Sequence, residues 1–151
     1  MNIFSLHIEN CDVDKMTFLD TKPNIIMDGM FSKFLYTETY FTLNSVLIHI
    51  PFLNVQVKQL YPNKMVIQFD LQSEFIKKII QLEKELIDKY VRFHPSTINK
   101  QVQFSIKENI NNKKLKIQEG IGNMFFIKLS GIWESDFHYG VTFKFIRGEF
   151  I

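Results

Sequence analysis

NMFFIKLSGIWESDFHYGVTFKFIR, residues 123–147, decides the fold. Apolar and polar residues alternate on both sides of a centre rich in turn-forming residues, the pattern of two half-buried strands joined by a turn. On the first strand Phe125, Ile127 and Leu129 share one face, with Met124, Phe126, Lys128 and Ser130 on the other. On the second, Val141, Phe143 and Phe145 oppose Thr142, Lys144 and Ile146. The stretch predicts a β-hairpin of two strands of about eight residues each, turning around residues 133–140. It also carries the single Trp of the chain, Trp133. The remaining residues are expected to cover one face of this hairpin.

Just upstream, residues 115–117 read as a short strand, 108–114 as a polar loop and 102–106 as another strand. Before them the period changes from two to 3.6. Phe75, Ile79, Leu82, Leu86, Ile87 and Tyr90 recur at helical spacing and predict one long helix over 73–92, opened by Ser73 and stopped by His94-Pro95. Glu74 with Lys78 and Glu85 with Lys89 stand four apart on its outer face, the spacing of ion pairs along a helix. The apolar stripe of this helix reads as core packing.

The N-terminal half reads as strands over 3–8, 16–19, 31–36, 41–50 and 65–71. Turns are expected at 11–15, 21–24, Asp28-Gly29, Glu38-Thr39 and 61–64, and Pro51 is expected to end the 41–50 strand. Within 31–36, Ser32, Phe34 and Tyr36 share one face and Phe31, Lys33 and Leu35 the other. The expectation is a single β-rich domain over 1–151: mainly β (α+β), an OB-like β-barrel or sandwich with one long helix after the middle strands.

Composition narrows the function. A chain of 151 residues with 46% apolar residues can bury a core without a disulfide or a metal. Cys11 is alone, so no internal disulfide forms and a reducing compartment suits the chain. The N-terminus lacks a basic stretch followed by a long apolar run, so no signal peptide is expected. The longest apolar run, 46–53, is broken by His49 and Pro51 and falls short of the roughly 20 residues that span a bilayer, so no membrane association is expected. A net charge of +2 does not by itself imply nucleic-acid binding; the positions of the charges decide.

Motifs for catalysis are absent. His7, His49, His94 and His138 show no paired spacing, so no metal and no cofactor are expected. There is no G-x-S-x-G, and Gly120-Ile121-Gly122 precedes a strand instead of opening a helix. Glu134 and Asp136 read as turn chemistry. The chain is not expected to be an enzyme, and no small-molecule substrate is evident.

What remains is aromatic residues interleaved with bases on strands. Bases stack on aromatic faces while Lys follows the phosphates. The expected nucleic-acid contacts are Lys33, Phe34 and Tyr36; Lys113, Lys114 and Lys116 at the rim of a groove; and Phe126, Lys128, Trp133, Tyr139 and Lys144 on the hairpin.

FFIKLSGIWESDFHYGVTFKF (125–145), with DGMFSKFLYTETYFTLN (28–44), resembles the corresponding segments of small proteins from large double-stranded DNA viruses. The order of strands, one helix and closing strands also resembles in layout the viral and phage single-stranded DNA-binding proteins with an OB-type barrel. That resemblance implies a viral protein of DNA replication or recombination, binding single-stranded DNA in a groove and forming a homodimer, located inside the host cell (cytoplasm or nucleus) or in the virion. Those proteins commonly end in an acidic tail; this chain closes KFIRGEFI, so recruitment of partners through such a tail is not expected. The competing expectation is a non-enzymatic structural protein of the virion, a minor capsid or cementing component, whose aromatics anchor protein contacts.

Overall fold

A computed structural model gives the fold and describes residues 5–24, 29–38, 41–61, 64–71, 73–112, 114–119 and 124–148. The strands in chain order are β1 (Met16–Phe18), β2 (Lys22–Pro23), β3 (Met30–Thr37), β4 (Thr42–Leu43), β5 (Val46–His49), β6 (Phe52–Tyr61), β7 (Lys64–Leu71), β8 (Gln101–Gln103), β9 (Lys114–Glu119), β10 (Met124–Glu134) and β11 (His138–Gly148). Helix α1 (Ser73–Phe93) lies between β7 and β8, and α2 (Ser105–Asn111) between β8 and β9. Among the described residues the strands form one sheet of order β1-β3-β10-β11-β9-β7-β6, with β2 and β4 on β3, β5 on β10 and β8 on β11. The sheet curls into a half-barrel, so the class is mainly β, α+β.

The closing hairpin sits at the middle of this order, as its alternation requires. Each strand runs 11 residues, longer than the alternation alone suggests. A register shift between Leu129 and Gly131 is the cause. The bulge absorbs one residue, after which Ile132 returns to the face of Ile127 and Leu129. Pairing then continues to Glu134↔Tyr139, and the turn shrinks to residues 135–137.

Helix α1 covers one face of the sheet. Phe75, Ile79, Leu82, Leu86, Ile87 and Tyr90 share a core with Ile127, Leu129, Ile132, Val141 and Phe145. β3 adds Phe34 and Tyr36, both fully buried. The residue before Pro95 disfavours helical dihedrals, and α1 gives way to a 3-10 turn over Pro95–Asn99. Gly29 takes φ +127°, a conformation open to Gly, at the entry to β3. The rest of that expected turn, residues 25–28, lies outside the described residues, as do 1–4 of the first expected strand.

Four expectations change. Residues 5–8 make no strand: Leu6 forms one parallel bridge with Ile48, and the chain then closes a 3-10 turn over Ile8–Asn10. The 41–50 run is two strands, β4 and β5, because a bend at Asn44-Ser45 lets the chain leave β3 and pair with β10. Pro51 interrupts the β region without ending it, and β6 follows as the partner of β7. Residues 102–114 divide into the short parallel strand β8 and the helix α2, where a strand and a loop were expected.

Helix α2 is short but well held. Ile106 and Ile110, four apart, are buried, and the amides of Ile106 and Lys107 donate to the Glu83 carboxylate of α1 at 2.9 and 3.1 Å. A carboxylate from another helix thus does the work of an N-cap. The ion pairs expected along α1 also give way to longer-range ones. Lys78 reaches Glu9 at 3.2 Å, and Lys89 donates to the carbonyls of Val13 and Met16, tying the N-terminal segment onto the helix.

Candidate nucleic-acid interface

The register of β3, β10 and β11 sorts the expected site residues onto two faces. On the face turned away from α1, Lys128 stands directly opposite Lys144, and Trp133 opposite Gly140. From β3, Lys33 stands opposite Gly131 and Phe31 opposite Trp133. From β9, Lys116 alternates with the buried Ile117 and is exposed on this same face. Lys33 is exposed; Phe31, Lys128, Trp133 and Lys144 are half-buried. The described positions of this face on β3, β5, β10 and β11 carry no Asp or Glu.

The structure therefore brings Lys33, Lys116, Lys128, Trp133 and Lys144 together. Phe126 lies on the same face but has no exposed surface, with the His49 ring 5.8 Å away. Phe34, Tyr36 and Tyr139 point the other way, into the core beneath α1. Their aromatic faces pack against protein, so base stacking on Phe34, Tyr36, Phe126 or Tyr139 does not fit the structure. The reason is parity: β3 places every second residue under the helix, and both of its expected stacking aromatics have the buried parity. Lys114 opens β9; its side chain and all of Lys113 lie outside the described residues.

Phe31 was missed. Its signal was the alternation of β3, which sets it on the face of Lys33. Glycines in the hairpin make room for both half-buried aromatics. A Cβ on Gly131 would meet the Phe31 ring at 2.7 Å, and one on Gly140 would meet the Trp133 indole nitrogen at 3.2 Å. Two rings thus rest on two glycines, a standard way to cover bare strand backbone. His49, beside Phe126 and 6.3 Å from His7, has its pKa lowered by burial and then by the His7 charge. It is neutral near pH 7, so the positive charge of this face comes from lysine.

The turn end of the hairpin is structural. Glu134 is not in an open turn beside Asp136. It sits on the helix side, accepting from Tyr90 Oη at 2.8 Å and pairing with Lys100 at 2.8 Å, while Asp136 is exposed. Burial, then the hydrogen bond with Glu134, push the Tyr90 phenol up to about 12. Thr21 continues the polar chain from Ser32, at 2.7 Å, to the His94 ring. Burial and then Asp12 raise the Cys11 thiol to about 12, so it stays protonated and is a poor nucleophile.

Among the described residues no group of three or more His, Cys, Asp or Glu could hold a metal ion, and no helix is long and apolar enough to cross a membrane. No family model, curated protein or solved structure matches the chain.

Proposed function

We propose that this chain binds single-stranded DNA on the sheet face turned away from α1. The observation that supports the reading is the cross-strand pair Lys128↔Lys144, with Lys33 and Lys116 on the same face and no acid at its positions on β3, β5, β10 and β11. Like charges directly opposite on neighbouring strands disfavour folding. A phosphate between them reverses the sign of that interaction. Trp133 and Phe31, side by side and half-exposed, supply the stacking surface; each stacked base contributes about 1–3 kcal/mol. The OB-type barrel and a role in viral DNA replication or recombination belong to this same proposal.

The test is fluorescence anisotropy of a labelled single-stranded oligonucleotide across a salt series, with duplex as competitor. Four lysine–phosphate contacts give a slope of log K against log salt near roughly −3, at about 0.7 per phosphate. Replacing Lys128 and Lys144 together by Ala halves that slope, and Trp133→Ala weakens binding without removing the salt dependence. Absence of binding at low salt overturns the reading. The alternative, a structural virion component, is favoured by the exposed Phe93, Ile98 and Phe137, and is the reading a negative titration leaves.

A further inference from the structure

On the helix side of the sheet lies a second surface of opposite character. A groove of about 1000 Å³ runs between the 9–14 segment, α1 and the start of β11. Its lining holds five carboxylates against one guanidinium, that of Arg92, in a chain whose net charge is +2. The acids come from two elements. Asp12 and Asp14 stand on the N-terminal segment; Glu85 and Asp88 stand on α1, one turn apart and both exposed. Of the five, Glu9 is the one with an ion pair among the described residues, to Lys78.

The floor is apolar. Val13, Val91, Val102 and Phe104 line the groove and are half-buried, packed against the core but not covered by it. An acidic rim alone would attract any cation without selecting one. An acidic rim around an apolar floor matches a segment that presents both features in register. DNA is excluded by charge.

We infer that this groove binds a basic amphipathic peptide segment of a protein partner, with Lys or Arg flanking an apolar stripe. The apolar stripe covers Val91, Val102 and Phe104, while the basic flanks pair with Asp12, Asp14, Glu85 and Asp88. Helix-in-groove recognition works by this division between apolar anchors and charged shoulders. Charges at the rim set the on-rate and the choice of partner. Because the groove and the lysine face lie on opposite sides of the sheet, a peptide and a polyanion can be held together.

The experiment uses the full chain and three labelled synthetic peptides of equal length. One has a helical Lys/Leu pattern, one the same pattern in Glu/Leu, and one in Lys/Ser, which keeps the charge and removes the apolar stripe. The Lys/Leu peptide is expected to bind at physiological salt, at least about tenfold tighter than either control. Amide shift changes on its addition are expected at Val91, Val102 and Phe104. The double variant Glu85→Lys/Asp88→Lys, at exposed helix positions that tolerate Lys, is expected to raise Kd at least about tenfold. Equal binding of Lys/Leu and Lys/Ser, an unchanged Kd in the double variant, or shift changes confined to the lysine face each overturn the inference. Binding of single-stranded DNA is measured on the same variant; its loss or retention reports on the sheet face separately.

Discussion

The two faces of the β10–β11 hairpin treat charge in opposite ways. On the helix side every buried polar group is matched. Ser32 bonds Thr21, Glu83 takes two amides of α2, and Glu134 takes Tyr90 and Lys100. Among the described residues no buried side-chain nitrogen or oxygen lacks a partner. On the other side Lys128 faces Lys144 across the strands. The helix side meets the demands of folding, since an unmatched buried polar group costs about 1–3 kcal/mol. The other side carries charges that folding does not ask for, and such positions are where binding surfaces are found.

The largest expected effect breaks or upholds this contrast within one strand. Leu129→Ala opens a cavity beneath α1 and is expected to cost about 2–5 kcal/mol. Urea denaturation measures it. Leu129 has no exposed surface, whereas its neighbour Lys128 is half-exposed on the opposite face. A Leu129 variant as stable as the parent would mean that the helix side is not the core.

Next in size is Glu134→Gln. It leaves Lys100 with only the Ser135 carbonyl, at 2.8 Å, and weakens the bond from Tyr90. The expected loss is about 1–3 kcal/mol. Tyr90 supplies a spectroscopic readout. Its proton is held to about 12 when folded, against an ordinary value of 10, so in that interval the folded state binds more protons than the unfolded one. Stability therefore falls as pH rises from about 10 through about 12. Burial is the larger cause, so in the Gln variant the phenolate absorbance should move only partway back toward the ordinary value. An unmoved titration would detach Glu134 from Tyr90.

Glu83→Gln is smaller, about 0.5–2 kcal/mol for a helix cap. Burial raises the Glu83 carboxyl above its usual range, partly offset by the Ile106 and Lys107 amides. The folded state holds the proton longer than the unfolded state. Stability therefore declines as pH rises from the usual glutamate range through the raised value, and is flat with respect to this group below that range. Gln should remove this slope in a series of denaturation midpoints taken across the acidic range. A slope that survives belongs to other carboxyls.

The difference between the faces was legible in the sequence where periodicity is local. The 73–92 helix and the in–out order of β10, β11 and β3 follow from the spacing of Phe, Ile and Leu. Whether an aromatic is exposed did not follow from its company. Phe34 and Tyr36 sit next to Lys33 in sequence yet across the sheet from it, and Phe126 is buried on the otherwise lysine-bearing face. Helix α2 was hidden for a related reason: its cap, Glu83, comes from 22 residues before its first residue, Ser105, beyond any local signal. The acidic groove was hidden too, because Asp12, Asp14, Glu85 and Asp88 meet only once Lys89 has tied the N-terminal segment to α1.

The smallest expected effect on stability is the most informative about the open face. Lys128→Ala removes one of two opposed charges, so its cost should lie within about 0.5 kcal/mol and can be a gain. The same substitution should lower the salt slope of single-stranded DNA binding by about 0.7, one phosphate contact. The two measurements together separate the roles. Stability unchanged with a reduced slope makes Lys128 a phosphate contact and keeps the faces distinct. A loss of more than about 1 kcal/mol with an unchanged slope would mean that the lysine stem packs as apolar bulk, and the lysine face would then be an extension of the core.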